Sequence, residues 1–71
     1  METVIRKKLA LRIRELRKKK SWTQEKLSEI AEVDYKHIQL LESKTPPYPR
    51  LDTLEKLAKA FEISISELLK F

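Results

Sequence analysis

The sequence predicts an all-α fold, a compact bundle of five short helices in a single domain. Apolar residues recur every three or four positions along most of the 71-residue chain, which is the period of an amphipathic helix. The chain contains no glycine, whereas β-rich folds depend on glycine in their tight turns. A hydrophobic content of 41% is enough for one modest core.

The first helix is predicted over about residues 3–19. One face of this segment is apolar and the other carries most of the Lys and Arg residues, so the apolar face should pack on the core. The core-facing positions are Val4 or Ile5, Leu9, Ile13 and Leu16.

Three further helix starts share one pattern. Each has an apolar residue, then a capping residue, then an apolar partner five positions after the first, which is the arrangement of a capped helix with a hydrophobic staple. The three are Trp22–Thr23 before Leu27, Val33–Asp34 before Ile38, and Ile63–Ser64 before Leu68. They predict a second helix after Thr23, a third over about 35–43 begun by the Asp34 cap, and a fifth over about 65–70.

The fourth helix is predicted over about 51–61, after the segment KTPPYPR. Three prolines remove backbone donors and restrict the residues before them, so this segment cannot be helical. The core positions are Ile38 and Leu41 in the third helix, Leu54, Leu57, Ala58 and Phe61 in the fourth, and Ile65, Leu68 and Leu69 in the fifth.

Charge is concentrated at one end of the chain. The net charge is +5, but residues 6–20 hold nine Lys/Arg and one acid, giving +8, so the rest carries −3. A basic block on a slightly acidic domain is typical of a polyanion binder. The alternative is a solvated helix face whose last lysines complement the helix dipole.

Composition excludes several classes of protein. There is no cysteine and only one histidine, which argues against a metal site, and no cofactor is expected. No apolar run approaches the roughly 18 residues that span a bilayer, so we expect a cytoplasmic protein with no membrane partner. No catalytic triad, carboxylate pair or phosphate loop is visible, and we do not expect an enzyme.

The stretch IRELRKKKSWTQEKLSEIAEVDYKHIQLLE, followed by LDTLEKLAKAFEISISELL, resembles the Cro/C1-type (XRE-like) DNA-binding domains of phage repressors and bacterial regulators. The likeness extends over about residues 9–69. It implies a lambda-repressor-like bundle formed by the whole chain, 1–71, with a helix-turn-helix at about 23–43.

The resemblance also implies roles for individual residues. The third helix would lie in the major groove with Tyr35, Lys36, Gln39 and Leu40 towards the bases, and Arg17 would pair with Glu42. In chemical terms Gln39 suits adenine, Lys36 suits guanine and Leu40 suits a thymine methyl. The expected phosphate contacts are Gln24, Thr23, His37, Lys44 and Thr45.

Each of these residues also has an ordinary structural interpretation. Tyr35 can cover the turn, Lys36 and Gln39 can be plain surface residues, and Leu40 can pack against the chain. Three positions where this family often has glycine hold Ser21, Glu32 and Lys44. A left-handed Glu32 costs about 1 kcal/mol, and the alternative is a different turn that re-aims the third helix.

The leading functional hypothesis is a sequence-specific, repressor-like transcriptional regulator that binds double-stranded DNA as a homodimer on a palindromic site. Ile65, Leu69 and Phe71 are the expected dimer interface, although they can instead close the monomer core. The main alternative is a protein-interaction module, such as an antitoxin that holds a protein partner. A basic amphipathic membrane binder is the third and weakest interpretation.

Overall fold

The computed structural model describes the backbone of residues 2–71 and the side chains from Val4 onwards. Its helices are α1 (Glu2–Lys19), α2 (Gln24–Ala31), α3 (Tyr35–Leu41), α4 (Leu51–Phe61) and α5 (Ile65–Leu68). The predicted all-α class is confirmed, with five helices and no strand in the described residues.

The core lies where α2 packs against α3 and α4 and where α5 packs on α4, and α1 contributes Leu9 and Ile13 to it. Most of the predicted core positions are buried. Trp22 is half-buried at the edge, where its ring stacks on Phe61 with centroids 5.8 Å apart. The fully buried large side chains are Ile13, Leu27, Ile38, Leu41, Leu57 and Leu68.

Three helices end on the same backbone turn, and none has glycine at the left-handed position. Ser21, Glu32 and Glu62 have φ values of 58°, 57° and 59°. The next residue donates back across each turn: Trp22 N–H to the Arg17 carbonyl, Val33 to Ser28, and Ile63 to Ala58. This is the six-residue closure of a Schellman motif. The break between α2 and α3 is therefore made by a left-handed Glu32.

Helices α2, α3 and α5 all begin where the sequence predicts, and at two of them the N-cap side chain makes a capping hydrogen bond. The Thr23 hydroxyl accepts from Lys26 N–H at 3.0 Å, and Ser64 with Glu67 forms the predicted capping box. Asp34 occupies the N-cap of α3 as predicted, but its side chain makes no capping hydrogen bond, so the prediction is right about the position and wrong about the side chain. Its ψ is 136°, against 169° at Thr23 and 163° at Ser64. Burial of Val33 and Ile38 holds this start instead.

Two predicted helices are shorter than expected. α3 ends at Leu41 rather than residue 43. The Ser43 N–H and hydroxyl both donate to the Leu40 carbonyl, and these bonds form a tight turn in place of another helical turn. α5 ends at Leu68 rather than residue 70. At this end the Arg12 guanidinium donates hydrogen bonds to the carbonyls of Glu67 and Leu68. α1 begins at Glu2 rather than residue 3.

The first turns of α1 do not pack on the core as predicted. Val4 is 53% exposed and Ile5 is 62% exposed, because the buried face of α1 begins only at Leu9. Leu69 is 40% exposed for a related reason, since it lies beyond the end of α5.

Arginines and lysines of α1 have different environments. Three arginines reach other parts of the domain: Arg6 to the Pro46 carbonyl, Arg12 to the end of α5, and Arg17 to Glu42. The lysines and Arg14 point to solvent. The basic block is thus both a set of tertiary contacts and an exposed positive surface.

Candidate nucleic-acid interface

One face of α3 is free of tertiary packing. Tyr35, Lys36, Gln39 and Leu40 are all exposed, whereas Ile38 and Leu41 on the opposite side are fully buried. At 100° per residue the four exposed positions fall on one side of the helix. Leu40 is 47% exposed, which removes the alternative that it packs tightly against the chain. The structure therefore brings together all four residues predicted to face bases.

Two side chains on this face are joined to each other. Gln39 Nε2 donates to the Tyr35 hydroxyl at 3.2 Å. A glutamine carboxamide has two N–H donors and a carbonyl acceptor, so this bond leaves one donor and the acceptor available. Tyr35 thereby holds the Gln39 amide in one orientation.

Arg17 and Glu42 form the ion pair that fixes α3 against α1. Arg17 Nε and Nη2 each donate to a Glu42 carboxylate oxygen at 2.9 Å, a bidentate arrangement. The Arg17 and Glu42 side chains are only 11% and 3% exposed. Arg17 Nη1 also donates to the Trp22 carbonyl at 2.7 Å, so one guanidinium connects α1, the turn before α2, and the end of α3.

Gln24 and Thr23 lie at the N-terminus of α2. Gln24 Nε2 donates to the Glu42 carboxylate at 3.3 Å, which ties this side chain to the Arg17–Glu42 pair. The Thr23 hydroxyl oxygen is used as the helix cap. Both residues sit beside the positive end of the α2 dipole, where a phosphate is favoured.

His37 lies away from the exposed face of α3. It is half-buried and lines a groove shared with Asp34, Asp52 and Arg50. Glu32 and Lys56 line the same groove, so three carboxylates outnumber two cations there, which makes it a poor place for a phosphate. The structure thus separates His37 from the four residues predicted to face bases.

Lys44 and Thr45 are exposed in the loop after α3, as the predicted phosphate contacts require. This loop is fastened from α1: Arg6 Nη1 donates to the Pro46 carbonyl at 3.0 Å, and the guanidinium stacks 4.1 Å from the Tyr48 ring centroid. Sequence reasoning missed both Arg6 and Tyr48, because residues more than forty positions apart leave no local pattern.

The predicted dimer residues differ in burial. Ile65 is half-buried and packs against the core, whereas Leu69 and Phe71 are 40% and 51% exposed. The structure therefore assigns Ile65 partly to closing the monomer and leaves Leu69 and Phe71 on the surface.

The part of the chain that the structure describes was also searched for metal sites and membrane-spanning helices. No cluster of three or more His, Asp or Glu side chains there is arranged to hold a metal ion. No helix among those residues is both long enough and apolar enough to cross a membrane.

Comparison with known families gives a match that agrees with this geometry. Residues 12–71 match the family model of the Cro/C1-type HTH DNA-binding domain, which is most of the chain. No curated protein and no solved structure gave a match. Since the match includes α2, α3 and the ion pair between Arg17 and Glu42, the chain belongs to the Cro/C1-type family of helix-turn-helix DNA-binding domains.

Proposed function

We propose that this protein is a sequence-specific DNA-binding regulator of transcription that inserts α3 into the major groove. The observation that carries the proposal is the exposed face of α3, where Tyr35, Lys36, Gln39 and Leu40 offer donors, an acceptor and an apolar surface together. A major groove admits one α-helix and presents a different pattern of such groups for each base pair.

Recognition by this face divides into two kinds of contact. Lys36 would donate to guanine O6 and N7, and Gln39 would bond to adenine N6 and N7. Leu40 would pack on a thymine methyl. Thr23, Gln24, Lys44 and Thr45 flank α3 and would bind phosphates, setting the register of the helix. His37 is the weakest of the predicted phosphate contacts because of its acidic groove.

The proposed binding unit is a homodimer on a palindromic site, acting as a repressor by occupying it. One α3 reads only a few base pairs, so useful specificity needs two copies about one helical turn apart. Leu69 and Phe71 supply exposed apolar surface for that contact. Selection of bound duplexes from a random pool tests the proposal: two inverted half-sites are expected, and recovery of unrelated sequences contradicts it.

A protein-interaction role, as in an antitoxin, is the second candidate. The observation in its favour is the exposed Phe71, which shares a groove with Leu11, Arg12 and Lys70. The same selection separates the two candidates, because a module that only holds a protein would enrich no DNA sequence.

A further inference from the structure

A second positive surface lies beside α3, in a groove between α1 and the end of that helix. Its volume is about 310 Å³. Lys7 and Arg14 line it from α1, and Lys44 lines it from the loop after α3. Ala10 and Leu11 form an apolar floor between the cations. We call this the basic groove.

The cations of the basic groove are not neutralised by neighbouring carboxylates. Among the described residues, Lys7, Arg14 and Lys44 form no ion pair, whereas Arg12, Lys20 and Arg50 each pair with a carboxylate. The one acid in the groove is Glu42, whose carboxylate is 3% exposed and held by Arg17. Three uncompensated cations therefore face solvent.

The basic groove lies next to the proposed DNA-facing surface. Glu42 lines the groove, and its carboxylate also accepts from Gln24, a predicted phosphate contact at the N-terminus of α2. Lys44 belongs to both surfaces. A duplex backbone that passes Gln24 and Lys44 would continue between Lys7 and Arg14.

We propose that the basic groove binds a backbone phosphate of the same duplex, outside the base pairs that α3 reads. Lys7 and Arg14 would donate to the phosphate oxygens while Leu11, which is 66% exposed, packs on the adjoining deoxyribose. This inference rests on the proposed function. It adds a phosphate contact from the first turns of α1 to those made by α2 and by the loop after α3. Lys7 also lies before residues 12–71, the part of the chain that matches the family model.

A lysine elsewhere on the surface provides a matched control. Lys7 lines the basic groove, while Lys59 is exposed on α4, away from that groove and from the residues proposed for the dimer, so K7Q and K59Q remove the same charge at exposed sites. Affinity for a selected duplex is measured against salt concentration. Each lost phosphate contact should lower the slope of log K against log[salt] by about 0.9.

The expected result is a shallower slope for K7Q, a still shallower one for K7Q with R14Q, and an unchanged slope for K59Q. Base preference should be the same in all of them. Trimming the flanking base pairs should weaken native binding and leave the double variant unaffected. Equal slopes for K7Q and K59Q would overturn the inference while leaving the proposed function intact. A native protein that binds no duplex selectively would overturn the proposed function itself.

Discussion

At the scale of single residues, the Arg17–Glu42 pair has the greatest structural consequence. Its two charges are nearly buried; Gln24 donates to one of the paired Glu42 oxygens, and the third nitrogen of the guanidinium donates to the Trp22 carbonyl. A buried pair is weak evidence of net stability, but loss of one partner leaves a charge without compensation. The pair therefore controls how α3 is held against α1.

Arg17→Ala should lower the free energy of unfolding by about 3 kcal/mol, because it strands the Glu42 carboxylate. Urea unfolding followed by circular dichroism measures the effect. Arg14→Ala is the matched control, since Arg14 is exposed on the same helix, and it should change stability little. If both variants unfold at the same urea concentration, the ion pair has no structural role.

The Tyr35–Gln39 bond is a second feature at this scale. Tyr35→Phe removes the hydroxyl that orients the Gln39 amide but keeps the ring. Discrimination at the base pair that Gln39 reads should fall by about 1 kcal/mol, with little change elsewhere. Competition binding with single-base variants of the selected duplex gives the answer, and an unchanged profile would show that Tyr35 does not position Gln39.

Some residues could be assigned from the sequence and others could not. The Arg17–Glu42 pair and the four residues of the α3 face followed from family resemblance, while helical spacing indicated the buried side of α3. Arg6 and Tyr48 did not, because their contact depends on how the proline-rich loop folds back on α1. Val4 and Ile5 fit the apolar period of α1 but lie beyond the core, which periodicity alone cannot reveal.

At the scale of elements, the turns explain how a chain without glycine stops its helices. Ser21, Glu32 and Glu62 each take the left-handed conformation and are each followed by an apolar residue and an N-cap position. The sequence pattern located these helix starts correctly. It placed the ends of α3 and α5 less well, since those ends depend on Ser43 and on the distant Arg12.

Glu32→Gly should stabilise the domain by about 0.5–1 kcal/mol, because glycine removes the left-handed penalty and loses some of that gain to chain entropy. Glu29→Gly, three residues earlier inside α2, should instead destabilise it by about 1 kcal/mol. Urea midpoints of the two variants give the comparison. A lower midpoint for Glu32→Gly would mean that the glutamate side chain is needed in the turn.

At the scale of the whole molecule, the exposed positive charge and the exposed apolar residues after α5 lie on different elements. Positive charge follows α1 and the loop after α3, beside the exposed face of α3. Leu69 and Phe71, after α5, are among the exposed apolar side chains. We propose the first surface for a duplex and the second for another copy of the chain.

Phe71→Ser should weaken self-association and make operator binding more dependent on protein concentration, without changing the monomer fold. Sedimentation equilibrium of the free protein measures the first effect. Leu51→Ser is the control. Leu51 lies on α4 and is 79% exposed, so this substitution removes a comparable apolar side chain from a different part of the surface. Equal association in the two variants would contradict the C-terminal dimer.

We propose that α3 contacts the base edges of its DNA site. The base preference of Gln39→Ala tests this most directly. Binding is measured to the selected duplex and to each of its single-base variants, with Gln24→Ala as a variant that should weaken all duplexes alike. Gln39→Ala should lose about 1–3 kcal/mol of discrimination at one base pair in each half-site and keep the rest. An unchanged preference at every position would contradict the claim that α3 is the recognition helix.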